Sequence, residues 1–279
     1  IVVKDVLTAL NSLAAHVRLA LPELKVIALT GSQGKTTTKD LLRQVLETVA
    51  PTIAPAGNFN NELGAPITLL QCDEKTRFCI LEMGARHVGD IAKLCKMATP
   101  DIGVVLRVGT AHVGEFGSEE LVAKAKSEMI SSLRDSATAV LGQYDQYTPA
   151  MASLHNGTTV TFGETNSADV RATDIEIREG RPHFDLVTPA GRASVALRII
   201  GIENFPLNTI EIYNRYGTLV WKNSNYNNKT VVFNGKANVS GVVSKDNFLP
   251  SGTYFFVLKY PNYCKQTQLK GFINIDNKN

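Results

Sequence analysis

Long apolar runs and closely spaced cysteines are both missing from this sequence of 279 residues. No run approaches the length that a helix needs to cross a bilayer, and the first residues do not follow the plan of a signal peptide. Its four cysteines lack metal-ligand spacing, so we expect buried, reduced thiols at Cys72, Cys79, Cys95 and Cys264. Because the chain begins with Ile1 and not with methionine, we leave room for a leader or upstream domain that is absent here.

Alanine and arginine almost disappear from the last part of the chain. Residues 1–199 contain 24 alanines and 11 arginines, residues 200–279 one of each, while asparagine rises from 6 to 14 and tyrosine from 2 to 6. The net charge changes from −2 (20 Lys+Arg, 22 Asp+Glu) to +5 (9 and 4), which sums to +3. A β-rich segment explains the asparagine and tyrosine, but not the loss of arginine beside eight lysines. We interpret this change of composition as a boundary between two segments of different genetic origin. We therefore predict two domains, 1–199 and 200–279.

The stretch 26–42 combines an apolar run, two glycines and a helical spacing of apolar residues. A strand, a glycine turn and a helix in this order predict a phosphate-binding loop of the short G-x-x-G-K-T form. Gly31 and Gly34 would let backbone N–H groups turn toward an anion at the helix N-terminus. Lys35 would reach the β- and γ-phosphates, and the Thr36 hydroxyl would contact Mg²⁺. The alternative is a glycine turn without a ligand.

Two further candidates follow strands. Glu82 ends the apolar run 78–82, and His112 comes shortly after the run 102–108. Ligands of open parallel sheets bind at the carboxyl ends of the strands, so we expect both side chains at the ligand side of the sheet. A carboxylate there can hold the Mg²⁺ that accompanies nucleotide phosphates.

Two other features have an ordinary structural interpretation as well. The loop 56–66 carries three asparagines, which suit turn chemistry as well as a ligand: Asn58, Asn60 and Asn61. The predicted helix 119–133 carries Lys124 and Lys126, and a lysine pair on a helix is usually a solvated face.

Five motifs in order resemble the Mur ligase family, and within it the UDP-N-acetylmuramoyl-tripeptide–D-alanyl-D-alanine ligases. They are G-S-Q-G-K-T-T at 31–37, G-N-F-N-N-E-L-G-A-P at 57–66, L-E-M-G-A-R-H-V-G-D-I at 81–91, A-H-V-G-E-F-G-S at 111–118 and V-A-K-A-K-S-E-M at 122–129. The resemblance covers about residues 5–198. It implies the family's central ATP-binding domain, an α/β fold in which a P-loop parallel sheet is flanked by helices.

The resemblance also implies roles, with ATP and Mg²⁺ as cofactors. The nucleotide would be bound by Gly31, Ser32, Gly34, Lys35, Thr36, Thr37, Asn58 and Asn61. Metal would be held by Thr36, Glu82, His112 and Lys126, the last as a carbamate formed with CO₂. The catalytic residues would be Lys35, His112 and Lys126.

The implied reaction has two steps. ATP phosphorylates a carboxylate of a UDP-N-acetylmuramoyl peptide, and the amine of D-Ala-D-Ala then attacks the acyl phosphate. The family's flanking substrate-binding and ATP-closing domains have no counterpart in this sequence, so we expect weak ATP–Mg²⁺ binding at most and no ligation.

The sequence also departs from the family pattern, with V-L-G-Q-Y-D at 140–145 in place of V-L-N-A-D-D. Pro206 argues against the helix that would contact adenine.

After residue 208 the apolar pattern alternates with period two, which predicts short strands and a small immunoglobulin-like sandwich. The segments 205–221, 249–258 and 270–275 are similar to the gliding-motility-associated C-terminal domain, the sorting module of type IX secretion. They read F-P-L-N-T-I-E-I-Y-N-R-Y-G-T-L-V-W, L-P-S-G-T-Y-F-F-V-L and K-G-F-I-N-I. The match covers about residues 201–277 and implies an export address without catalysis. We interpret Trp221 as a core residue, and no nucleic-acid groove is indicated.

The two resemblances imply different locations. A Mur ligase consumes cytoplasmic ATP, whereas a sorting module travels with proteins that leave the cytoplasm. Our first hypothesis is an ATP-dependent peptide ligase, present as an incomplete or fused fragment. The second is a non-catalytic secreted or cell-surface protein that addresses the outer-membrane secretion machinery through residues 200–279.

Overall fold

A computed structural model describes residues 2–55, 59–109, 113–178, 181–196, 207–227, 230–231, 233–239, 248–262 and 265–275. The chain divides into two compact units. The first comprises Ile1–Arg171 with Thr188–Ala190, and the second comprises Ala172–Val187 with Gly191–Asn279.

The first unit alternates strands and helices. Its strands are β1 (Lys25–Thr30), β2 (Thr52–Ile53), β3 (Phe78–Glu82), β4 (Ile102–Val105), β5 (Thr138–Gly142) and β6 (Thr158–Gly163). Its helices are α1 (Val6–Ala20), α2 (Lys35–Glu47), α3 (Gly64–Leu69), α4 (Asp90–Ala98), α5 (Val113–Phe116) and α6 (Glu119–Ser131), with a 3-10 helix at Pro149–Leu154.

The six strands of the first unit are parallel and lie in the order β2-β3-β1-β4-β5-β6. In this register Leu29 of β1 lies opposite Glu82 of β3, and Thr30 lies opposite Val105 of β4. The carboxyl ends of β1, β3 and β4 therefore meet at one edge of the sheet. The predicted α/β class with a parallel sheet flanked by helices is confirmed.

Side chains alternate across β1, and each face of the sheet has its own apolar core. Val26 and Ala28 pack in a core that α1, α3, α4 and α6 share, whereas Leu29 packs on the other face with Leu42 and Leu46 of α2. Such a run, buried on both faces, is typical of parallel strands covered by helices on each side.

The opposite edge of the sheet is held by Asp101. Its Oδ2 accepts hydrogen bonds from the buried Arg18 guanidinium of α1 (2.9 Å) and from the Val26 N–H (2.8 Å). The Arg134 guanidinium donates to Oδ1 at 3.1 Å. This cluster anchors α1 at the end of the sheet away from the strand carboxyl termini.

The structure bears on the predicted thiols and on the search for a membrane-spanning helix. Cys72, Cys79 and Cys95 are buried free thiols, as predicted, and Cys264 lies outside the described residues. Within the described residues, the structure contains no helix with both the length and the apolar character needed to cross a membrane.

The second unit contains two groups of strands. Strand β7 (Val170–Arg178) pairs in parallel with β6 at its first two residues and continues into this unit, followed by β8 (Arg181–Thr188) and β9 (Gly191–Ala196). A four-stranded antiparallel sheet then has the order β11-β10-β12-β13. Its strands are β10 (Thr209–Tyr213), β11 (Leu219–Ser224), β12 (Gly252–Asn262) and β13 (Lys265–Ile275).

Strands β10 and β11 pair as an antiparallel hairpin, with Gly217 at φ +78° in its turn. Ile212 and Leu258 lie in the core of this sheet together with Trp221, whose ring packs edge-on against Phe233 at a centroid distance of 5.3 Å. The interpretation of Trp221 as a core residue is thereby confirmed. Residues 230, 231 and 233 are not part of a strand.

Glu211 of β10 lies between two lysines of the neighbouring strands. Ion pairs with Lys259 (2.8 Å) and Lys222 (2.9 Å), and a hydrogen bond from the Tyr213 hydroxyl, lower the pKa of Glu211 to about 2. A lowered carboxyl pKa stabilises the folded state above the ordinary value of 4.5, and this contribution disappears as the pH falls from 4.5 toward 2.

We therefore expect Glu211→Gln to destabilise the second unit by about 1 kcal/mol at pH 7 and to flatten its stability between pH 4.5 and 2. Trp221 is the sole tryptophan of the chain, so its fluorescence reports urea unfolding of this unit. An equal pH slope in the wild type and the variant would contradict the assignment.

Candidate functional site

The site is built around the turn between β1 and α2. Gly34 has φ +81°, a conformation that residues with a Cβ avoid. Gly31 is needed for space, because a Cβ there would lie 3.0 Å from the Cβ of Leu106. Buried β1 therefore leads into a tight turn, and the first residues of α2 follow at the carboxyl edge of the sheet.

Lys35 and Thr36 form the first turn of α2 and face inward. The Lys35 ammonium donates to the carbonyl of Gly31 at 2.7 Å, and the Thr36 hydroxyl donates to Oε2 of Glu82 at 3.1 Å. Burial lowers the pKa of Lys35, and the charge of Glu82 partly opposes this effect. Thr37, the next residue, is exposed.

Glu82 is the carboxylate at the centre of the site, and only 1% of its surface is exposed. Its Oε1 accepts from the Asn60 side-chain amide at 3.0 Å, opposite the contact with Thr36. A buried carboxylate without compensation is costly, and here it has two hydrogen bonds and the nearby charge of Lys35. Glu82 is the last residue of β3, so it lies at the carboxyl end of the strand, and its role toward a ligand stays a prediction.

The asparagine loop divides its roles among its residues. Asn60 contacts Glu82, and its backbone carbonyl accepts from the Gly84 N–H at 2.7 Å. Asn61 instead contacts the start of α3, since its side-chain oxygen accepts from the Gly64 N–H at 3.0 Å. Asn58 lies outside the described residues.

Ser32 joins the glycine turn to the chain that leaves β4. Its hydroxyl donates to the Gly109 carbonyl at 3.1 Å and accepts from the Gly109 N–H at 3.0 Å. Its backbone N–H donates to the Arg107 carbonyl at 2.9 Å. The segment that leads to His112 is therefore tied to the turn, although His112 itself lies outside the described residues.

Lys126 approaches the same site from α6. It is buried with 4% of its surface exposed, whereas Lys124 is exposed, so the solvated-face interpretation is wrong for Lys126 and right for Lys124. Burial and the positive charge of Lys35 lower the pKa of Lys126 to about 8. An amine with this pKa is partly neutral near physiological pH and can act as a nucleophile.

Three residues at this edge were missed by the sequence reasoning. Lys39 is buried one turn after Lys35 and donates to the Pro55 carbonyl at 3.0 Å, at the base of the asparagine loop. Asp145 accepts from the Val108 N–H at 2.9 Å and so holds the exit of β4. Their signals were weak, because a lysine on a helix and an aspartate after an altered strand end have many uses.

The third is Thr30, the last residue of β1. Its hydroxyl is the one buried side-chain polar atom without a hydrogen-bond partner in the described part of the chain. It directly precedes the glycine turn.

The fold and the site together define an α/β protein of the kind found in solved Mur ligases. MurF from Acinetobacter baumannii is 39% identical with a TM-score of 0.68, covering 73% of this chain and 45% of that structure. MurF from Thermotoga maritima, solved in complex with ADP, is 31% identical with a TM-score of 0.63, covering 70% and 45%. The UDP-N-acetylmuramoyl-tripeptide–D-alanyl-D-alanine ligase of Mycobacterium tuberculosis is 45% identical over 199 residues, covering 70% of this chain and 39% of the relative.

Residues 29–209 match the Mur ligase middle domain, and the chain belongs to this family. Residues 183–275 match the CHU_C type IX secretion signal domain. Both resemblances noted in the sequence are thus confirmed, and the two matches overlap over residues 183–209. The chain spans about two fifths of the length of the curated relatives, such as 39% for the one from Mycobacterium tuberculosis.

Proposed function

We propose that the first unit binds ATP with Mg²⁺ at the β1–α2 turn and serves a Mur-type ligase. In that reaction a carboxylate of a UDP-N-acetylmuramoyl tripeptide is phosphorylated by ATP, and the amine of D-Ala-D-Ala displaces the phosphate. The observation that carries the proposal is the buried Glu82 between Thr36 and Asn60, with the half-buried Lys35 and the buried Lys126 near it.

Phosphate binding is supported by the form of the turn. A glycine-rich turn at a helix N-terminus offers backbone N–H groups and a partial positive charge to an anion. Gly31, Ser32 and Gly34 would form this P-loop, and Lys35 would replace its present contact with Gly31 by one with a phosphate oxygen. Thr37 and the asparagine loop with Asn58 and Asn61 complete the proposed nucleotide site.

The donor set fits Mg²⁺. The described residues contain no group of three His, Cys, Asp or Glu side chains. Mg²⁺ commonly takes only one or two carboxylates and fills its remaining positions with phosphate oxygens and water. Glu82 and Thr36 supply such oxygen donors, and His112 and Lys126 are the further proposed ligands. The metal would neutralise charge that develops on the transferring phosphoryl group.

Lys126 needs a change of charge before it can act as a ligand. Its neutral amine can add to CO₂ and lose a proton, which converts the side chain into an anionic carbamate. The lowered pKa supports this step, because an amine with a pKa near 8 is neutral far more often than an ordinary lysine. Lys35 would instead contact the γ-phosphate, so the two lysines have different proposed roles.

Nucleotide binding is tested by calorimetric titration of the chain with ADP and ATP, with and without Mg²⁺. We expect weak, Mg²⁺-dependent binding. The absence of binding at millimolar nucleotide concentration would contradict the proposed function.

Ligation is tested separately through phosphate release that requires both the UDP-linked tripeptide and D-Ala-D-Ala. We expect none from this chain, and release that is abolished in Lys35→Ala would overturn that expectation.

A second function is supported by the match of residues 183–275 to a type IX secretion signal domain. We propose that residues 200–279 form a small immunoglobulin-like sandwich that addresses cargo to the secretion machinery of the outer membrane. Fusion of residues 200–279 to a fluorescent reporter in a type IX-competent cell should place the reporter outside the cell. Retention of the reporter, with export of a known cargo intact, would count against this function.

The two functions imply different locations, cytoplasmic for the ligase and secreted or cell-surface for the sorting module. We propose that the chain joins segments of different origin near residue 200, within the overlap of the two family matches. The composition supports this, since alanine falls from 24 to 1 and arginine from 11 to 1 across that boundary.

A further inference from the structure

One carboxylate links the two elements that carry Glu82 and Lys126. Glu128 lies two residues after Lys126 on α6, and each of its oxygens accepts a backbone N–H from the start of α4. Oε1 accepts from Gly89, and Oε2 accepts from Ala92 at 3.0 Å. Glu128 therefore caps a helix to which it does not belong.

The start of α4 depends on this contact because it has no cap of its own. Its N-cap residue is Gly89, at φ +100°, which has no side chain to accept a hydrogen bond. Asp90 is turned backward and accepts from the N–H groups of Arg86 and His87. Free N–H groups at a helix N-terminus need acceptors and favour negative charge, and the Glu128 carboxylate meets both needs.

The contact between Glu128 and α4 is connected to Glu82 through α4 and to Lys126 through α6. The start of α4 follows Glu82 by one short turn that begins with the buried Met83 and is bonded to Asn60 through Gly84. On the other side, Glu128 and Lys126 share the same stretch of α6. The charge of Glu82 acts on Lys35, and the charge of Lys35 acts on Lys126, so this one ammonium group lies within electrostatic range of both.

We propose that Glu128 is a positioning residue that sets the separation between Glu82 and Lys126. The inference rests on the proposed function in one respect, because this separation matters for catalysis only if both side chains serve the nucleotide–metal site. Partners that orient metal ligands typically change metal affinity by about 10- to 100-fold when they are removed.

The test compares Glu128→Ala with Ser118→Ala. Ser118 is the N-cap of α6 and accepts from the Leu121 N–H at 3.3 Å, so its loss weakens the same helix without touching α4. We expect Glu128→Ala to raise the Mg²⁺ concentration for half-maximal ADP binding by about tenfold, and Ser118→Ala to leave it unchanged. Glu128→Gln keeps one acceptor oxygen and should fall between Glu128→Ala and the wild type.

A second readout does not depend on nucleotide binding. Lys126 is buried, so an amine-reactive reagent should acylate it slowly at fixed pH. Glu128→Ala should accelerate this acylation on the order of fivefold, because loss of the contact makes local opening of the structure easier. Peptide mass spectrometry measures that rate. If the wild-type chain binds no Mg²⁺–ADP, the proposed function fails, and the acylation rates still decide the positioning role. Equal acylation and Mg²⁺ dependence in Glu128→Ala and Ser118→Ala would overturn it.

Discussion

Lys35→Ala is expected to weaken binding of ATP–Mg²⁺ by at least about thirtyfold. Removing one partner of a buried charged contact costs about 2–5 kcal/mol, and each 1.4 kcal/mol is a factor of ten in affinity. Lys35 is the half-buried lysine at the N-terminus of α2, where its ammonium already donates a hydrogen bond to the glycine turn at 2.7 Å. Calorimetric titration with an ATP analogue that cannot be hydrolysed measures the loss.

Lys25→Ala is the matched control for this experiment. Lys25 begins the same strand that leads to the turn, but it is exposed and lies at the opposite end of β1. Lys25→Ala removes the same charge from the chain without changing the site, so we expect an unchanged affinity for ATP–Mg²⁺. Equal weakening by both substitutions would show a general effect of net charge and would remove Lys35 from the proposed phosphate site.

Lys126→Met is expected to stabilise the first unit at pH 7 by about 1–3 kcal/mol, because it removes a buried ammonium of lowered pKa. The pKa falls from the ordinary 10.5 to about 8 in the folded chain. Below pH 8 both states hold the proton, and the folded state bears the full cost of the charge. Between pH 8 and 10.5 the folded chain releases the proton while the unfolded chain keeps it, so wild-type stability rises with pH.

The advantage of methionine should therefore shrink as the pH rises from 8 to 10.5. Urea unfolding followed by circular dichroism at several pH values measures it. Lys124→Met, at the exposed neighbouring lysine, should change stability by less than about 0.5 kcal/mol at every pH. If Lys126→Met were less stable than the wild type, the prediction would be wrong. The wild-type Lys126 side chain would then not be a buried ammonium group that destabilises the fold.

Such a stabilisation would have a functional meaning. A buried lysine that destabilises the fold is retained at active sites because its altered pKa serves the chemistry. We expect Lys126→Met to lose Mg²⁺-dependent nucleotide binding while it gains stability. This combination separates a functional lysine from one that is buried for packing alone.

Local patterns were sufficient for much of the fold. The apolar run before Gly31, the two glycines and the helical spacing after them predicted β1, the turn and α2. Glu82 could be placed at the carboxyl end of a parallel strand because it ends an apolar run. These predictions depend on neighbours in sequence and on the geometry of one strand, both of which the residues themselves define.

The contacts among distant segments were beyond that reasoning. Three asparagines in one loop are equivalent in sequence, and only the folded loop distinguishes Asn60, on Glu82, from Asn61, on the start of α3. In the same way Lys124 and Lys126 differ by their position around α6, and only the second is buried within range of the Lys35 charge.

By itself, then, the sequence determined the family, the parallel α/β class, the change of composition near residue 200 and the glycine turn. Those features follow from short-range spacing and from composition. Tertiary structure alone decided which polar side chains are buried together and which helix Glu128 caps. The physical reason is that desolvation and hydrogen bonding depend on the atoms that surround a group, and most of those atoms come from segments far away in the chain.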